Sequence, residues 1–316
     1  MLYGALIIVW APLFGGSVEG AILQFLDPAS VYASTVPRSE QLRALRQTVG
    51  VIFCGLLIVG ATAWARDRFR NPLPPRSGRA TDAAAAWGAG HVLATAVGGL
   101  LALLAMVLPW MDVSDQTKAE VAEYEAPALF AVKALAAGLA EEPLLAALPV
   151  LLLCGRLPIA AIVALGGALR GLLHVYYGGY GFVWAFIWGG AAVWIYYRYR
   201  RLWLLVLLHG FVNNLQAIAL VDTVPDWLAA AALLVSSLGA FVLALIWLGR
   251  NWSHLRLRVT AAKRYVRTRV VSTGADDGHE KSVDPRPGGG QGSASLRKGD
   301  RTQTDSVSRT SATHSD

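Results

Sequence analysis

Charge is scarce in this 316-residue chain: Asp, Glu, Lys and Arg make up 16% of it, against 55% hydrophobic residues. A soluble domain of this size carries about 25% charge, so the composition excludes an ordinary soluble enzyme and indicates an integral membrane protein. Cysteine is scarcer still. The two present, Cys54 and Cys154, lie at or within apolar segments, which excludes a disulfide framework and a cysteine-ligated zinc cluster. An H-E-x-x-H pair is missing, as is any internal repeat. The N-terminus "MLYGALIIVW" lacks the basic region of a cleaved signal and is expected to stay as a membrane segment. The net charge of +7 does not imply nucleic acid, because the arginines cluster between apolar blocks, as topology signals do.

What is present is a series of apolar runs. A helix needs about 20 apolar residues to cross the hydrocarbon core, and eight segments meet that need: 2–26 (interrupted late by Glu19), 48–65, 83–110, 127–154, 157–177, 181–197, 202–221 and 227–249. The expected fold is therefore all-α and polytopic, with about eight transmembrane helices. Residues 66–79 hold five arginines and are expected inside the cell, whereas residues 111–126 hold five acids and one lysine and are expected outside. Arg156 and "RYRR" (198–201) then fall inside, and "YYGGYG", Asp222 and Asp226 outside. Seven consecutive segments alternate as the positive-inside rule requires. Arg38, Arg43 and Arg46 conflict with it, falling on the outer side. Both termini are expected to be cytoplasmic. The chain divides into helices 1–3 (1–126, with the Arg-rich loop 66–82), a core of five helices (127–249), a basic juxtamembrane segment (250–271) and a tail (272–316). The basic segment is a helix on the inner leaflet or a plain stop-transfer flank. The tail has too little apolar surface to offset ordering and is expected to be disordered.

A few polar residues do not belong in lipid. "GLAEEPLLAAL" places Glu141, Glu142 and Pro143 inside an apolar run. A charge at mid-span costs roughly 2.5–3.5 kcal/mol, so such residues usually face a wet cavity or a partner. Neighbouring helical positions diverge by about 100°. One carboxylate is thus expected to face the cavity while the other supports it, and Pro143 is expected to kink the helix at the bond to Leu139. The bland alternative is a re-entrant segment with neutral, hydrogen-bonded acids. In "ALRGLLHVYYGG", Arg170 and His174 are four apart and share a face, as do His209 and Asn213 in "LWLLVLLHGFVNNLQAI". Each pair alone reads as a snorkelling arginine or an interhelical hydrogen bond. Three helices presenting such groups point to one site. Lys133, His91 and Asn214 carry no assigned role.

A carboxylate, two imidazoles and an amide around a wet pocket suit amide hydrolysis. The carboxylate takes a proton from water while one imidazole holds that water; the other imidazole and the amide donate to the oxyanion. Glu141, His174 and His209 could instead hold zinc, which would lower the water's pKa. At 1.5 Å per residue, His174 lies about 24 Å from the cytoplasmic end of its span, Glu141 about 20 Å and His209 about 10 Å, so His209 fits a shared depth least well.

Glu141-Glu142, then His174, then "HGFVNN" two spans later resembles the CPBP family of CAAX prenyl endopeptidases and bacteriocin-processing (Abi) intramembrane proteases. Its motifs are E-E-x-x-x-R, F-x-x-x-H and H-x-x-x-N/D. The resemblance covers roughly residues 127–221. It implies an intramembrane endopeptidase with Glu141 as water-activating base, Glu142 as its partner, His174 holding the water or a metal, and His209 with Asn213 stabilising the oxyanion. Its mechanism is either metal-dependent or metal-free, with zinc the metal if one is used. The partners implied are a peptide substrate in or near the membrane and the bilayer itself. Two motif positions depart from the pattern: Ala146 stands in place of the arginine and Arg170 in place of the phenylalanine. Arg170 is expected to supply the missing positive charge, to a substrate carboxylate. An inactive relative that binds a membrane partner, and a transporter using Glu141, Arg170 and His174 as an ion relay, are the other readings.

Overall fold

The computed structural model describes residues 2–26, 35–69, 73, 75, 77–107, 123–124, 126–219 and 224–275. The protein is an all-α polytopic membrane protein. Its helices are α1 (Leu2–Leu26), α2 (Arg38–Arg68), α3 (Ala80–Val107), α4 (Pro127–Glu141), α5 (Leu148–Leu153), α6 (Ile159–Leu173), α7 (Gly178–Tyr199), α8 (Leu202–Ala219) and α9 (Asp226–Ala275). Six helical stretches are long and apolar enough to cross a membrane, and Ile159–Leu173 and Leu202–Ile218 are shorter apolar helices. A two-residue parallel pairing, Thr35–Val36 with Glu123–Tyr124, is the one ladder between strands among the described residues.

Two of the boundaries that differ from the sequence expectation do so for local reasons. Helix α2 starts at Arg38, directly after Pro37; the first turns, with Arg38, Arg43 and Arg46, extend the apolar stretch with a polar helical end. Helix α9 continues to Ala275, so residues 272–275, expected in the disordered tail, are helical. From Val259 to Thr273 the sequence offers no Gly or Pro to stop it. The rest of the tail, 276–316, lies outside the described residues, as does most of the acidic loop 111–126. Contacts separate the chain into two units, Met1–Arg258 and Val259–Asp316, and all of the apolar segments belong to the first.

The middle of the first unit is the continuation of α4. A larger share of Pro127–Leu153 is buried than of any other candidate span, and Leu144, Leu145, Ala146, Ala147 and Leu148 are all essentially inaccessible. Helices α2, α6, α7 and α8 pack around it. By contrast α9 leaves Leu233, Leu234, Leu238, Phe241 and Leu245 exposed, the surface a lipid-facing helix keeps. Close crossings need small residues. A Cβ at Gly138 of α4 would strike the Val206 carbonyl of α8, and one at Gly210 would strike the Leu135 carbonyl of α4. That reciprocal contact seats α8 directly against the two glutamates.

Candidate active site

Pro143 does not simply kink its helix. The chain passes from α4 into a π-helical segment, Glu142–Ala147, before α5 resumes the α register. Proline cannot donate to the carbonyl four residues back, and widening to i→i−5 bonding removes the need. The backbone N–H of Glu142 still bonds to Gly138, whereas that of Leu148 reaches back to Pro143. Such π segments recur at functional sites. Here the change of register falls on the Glu141–Glu142 pair.

The two carboxylates have different surroundings. Glu142 is 1% exposed, and its Oε1 accepts from Arg170 Nη2 at 2.7 Å and from His209 Nδ1 at 2.8 Å. Glu141 keeps 20% of its side chain exposed, with Oε2 3.9 Å from Arg170 Nη2. Depth arithmetic placed His209 poorly, yet the structure puts it against Glu142, because the α4–α8 crossing at Gly138 and Gly210 brings the helices together one residue from His209.

Each histidine is held through its Nδ1. His174 caps the C-terminus of α6, where the sequence had placed it inside a span reaching residue 177; the 3-10 turn Val175–Tyr177 follows. Its Nδ1 lies 2.9 Å from the Arg170 carbonyl oxygen. A carbonyl can only accept, so Nδ1 carries a proton, and in the neutral ring Nε2 keeps its lone pair. His209, 1% exposed, engages both nitrogens: Nδ1 donates to Glu142, and Nε2 lies 3.0 Å from Asn213 Nδ2. Asn213 is half-buried. Asn214, on another face of α8, donates to the Ala131 carbonyl at 2.9 Å and ties α8 to α4. Lys133 is exposed, and His91 is buried against Trp87 and Trp188.

Arg170 is where structure and sequence expectation part. Its side chain is 0% exposed and cannot meet a substrate carboxylate. It lies instead between Glu142 and the Trp188 ring, 4.4 Å from the ring centroid. Helix α6 delivers the positive charge that Ala146, itself fully buried, does not. His209 is likewise enclosed, and Asn213 covers its Nε2. Sequence reasoning missed Trp188, because a tryptophan in an apolar helix carries no signal of its own.

The donor set fits zinc poorly in this arrangement. Among the described residues no three His, Cys, Asp or Glu side chains are grouped to hold a metal. Both His209 nitrogens are engaged, and a guanidinium sits on the carboxylates where a dication would be repelled.

Residues 124–215 match the model of one protein family, type II CAAX prenyl endopeptidase Rce1-like. That stretch forms an Rce1-like domain. The match agrees with the resemblance drawn from the motifs, and it spans Glu141, Glu142, Arg170, His174, His209 and Asn213. No curated protein and no solved structure matches the chain. The matched stretch is similar to a family of membrane-embedded CAAX-type proteases.

Proposed function

We propose that the Rce1-like domain hydrolyses a peptide bond at the membrane, with Glu141 as the base that activates water. The observation that carries this reading is the division of labour between the two glutamates: Glu142 is enclosed, with its Oε1 taken by Arg170 and His209, while Glu141 keeps 20% of its side chain exposed. In this reading Glu141 removes one proton from a water whose other O–H donates to His174 Nε2. The oxygen adds to the scissile carbonyl, and the second N–H of Asn213 donates to the oxyanion. Collapse breaks the C–N bond, and the proton held by Glu141 passes to the leaving amine. Water and amide become acid and amine, and no other reactant is needed. His209 orients Asn213 rather than touching substrate. No step runs through a metal, because the engaged His209 nitrogens and the Arg170 guanidinium disfavour one.

The substrate class proposed is a membrane-embedded or membrane-proximal peptide, the protein being multi-pass in the cell membrane with both termini cytoplasmic. Purified protein in liposomes should cleave a pool of prenylated and unprenylated CAAX-ended peptides, or a random peptide library. Glu141→Gln should lower turnover at least about a hundredfold, within the range of general-base losses, while keeping the wild-type melting temperature. Cleavage unaffected by Glu141→Gln rejects the assignment. Cleavage abolished by a chelator and restored by zinc would reinstate the metal reading. Ala146 favours a second reading, an inactive relative that binds a membrane protein. That reading predicts no cleavage by the wild type and no effect of Glu141→Gln on partner capture.

A further inference from the structure

Arg170 is held in an unusual way. Of its guanidinium nitrogens only Nη2 meets a carboxylate, at 2.7 Å from Glu142 and 3.9 Å from Glu141. Nε and Nη1 are buried without a hydrogen-bond partner among the described residues. One hydrogen bond fixes a point, not a plane, so the planar fork needs a second constraint. Helix α7 supplies it. The Arg170 guanidinium carbon lies 4.4 Å from the Trp188 ring centroid, and at the next position a Cβ on Gly189 would press into the aliphatic part of the same side chain. Trp188 also meets His209, with ring centroids 4.5 Å apart and planes at 83°. Both groups that bond to Glu142 Oε1 therefore rest on one indole.

We infer that Trp188 is a positioning residue: it holds Arg170 and His209 so that both converge on Glu142, leaving Glu141 as the open carboxylate. This rests on the proposed hydrolytic reading for its catalytic consequence, though not for the coupling itself. Trp188 is 3% exposed and could be plain core. Two features argue for more. Tryptophan is the best of the aromatic faces for a cation, and the contact strengthens where water is excluded. Its Nε1 is buried without a hydrogen-bond partner among the described residues, a cost that phenylalanine at this site would avoid.

The test combines kinetics with a double-mutant cycle, using purified full-length protein in liposomes and the CAAX-ended peptide pool. Trp188→Phe keeps a weaker aromatic face and removes an indole N–H that has no partner among the described residues. It should lower kcat by about threefold and Trp188→Leu by about tenfold, losses within the range of cation–π contacts. KM should not change in either, and Trp188→Phe should melt no lower than wild type. In melting temperature, Trp188→Leu and Arg170→Met should be non-additive, as contacting residues are. Wild-type kcat in Trp188→Leu, or additive melting shifts, overturns the inference. If the wild type cleaves no peptide, the hydrolytic reading fails by itself, and the cycle alone decides whether Trp188 holds Arg170.

Discussion

Glu142 shows how a charge survives in the middle of a membrane protein. A buried carboxylate is tolerated only when paired and hydrogen-bonded, and here one oxygen receives a guanidinium and an imidazole N–H. Removing one member of such a pair costs more than removing both, because the survivor stays desolvated. Glu142→Gln should therefore destabilise the protein by about 3 kcal/mol, the lower end of measured losses for broken buried pairs. Adding Arg170→Met to that variant should restore part of the melting temperature, read by thermal unfolding in detergent. A double variant less stable than Glu142→Gln would mean that Arg170 supports the fold chiefly through Trp188. At this scale the sequence was informative about which side chains matter and uninformative about their partners. Glu141, Glu142, His174, His209 and Asn213 stand out because polar atoms in apolar helices are costly. That Arg170 faces Glu142 and not a substrate depends on how α6 meets α7, where Gly166, Gly167, Gly171 and Gly189 allow close approach, and no single residue announces it.

The decisive element is the π segment Glu142–Ala147. Its cause is legible in the sequence, since Pro143 had to disturb the helix, but its form was not: a kink and a widened turn relieve the same missing N–H. The widened turn was selected by packing, with every residue from Glu142 to Leu148 buried. Restoring the N–H tests this. Pro143→Ala permits an unbroken α-helix, and alanine is favoured over proline in a helix interior by about 3 kcal/mol. That gain is about the size of the loss when a buried pair such as Arg170–Glu142 is broken, so the variant should melt close to wild type. Losing the extra residue of the π turn rotates one side of the helix relative to the other by about 100°, so the glutamates and the α5 face can no longer both keep their partners. Peptide cleavage should fall at least about tenfold while stability is kept, a separation that simple core damage would not give. Retained cleavage with retained stability would show that the π register is incidental to the site.

At the scale of the whole molecule, the count and order of membrane helices followed from apolar run length, and the six long and two short apolar helices correspond to the eight segments expected. The polar ends did not follow, because hydropathy is silent about helix that extends beyond the hydrocarbon; the first turns of α2 and the last turns of α9 are the instances. Orientation is a separate matter, governed by where arginine and lysine lie. Five arginines in 66–79 and the basic run after Trp247 argue for one side, and the five acids of 111–126 accompany the other. Only Arg38, Arg43 and Arg46 dissent, and they sit on the first turns of a helix whose other end carries Arg66 and Arg68. Arg66 at that other end is locked, donating to the carbonyls of Leu151 and Cys154, which ties the C-terminal ends of α2 and α5 to the same side. In a Cys54→Ala, Cys154→Ala background, Asp115→Cys should therefore react with a membrane-impermeant thiol reagent in intact cells. Ser293→Cys should react only after permeabilisation. The reverse pattern would invert the bundle and put Arg156 and the arginines of 66–79 outside. Labelling of both positions from outside would mean an even number of crossings between them, leaving one of the shorter helices, α6 or α8, unable to cross.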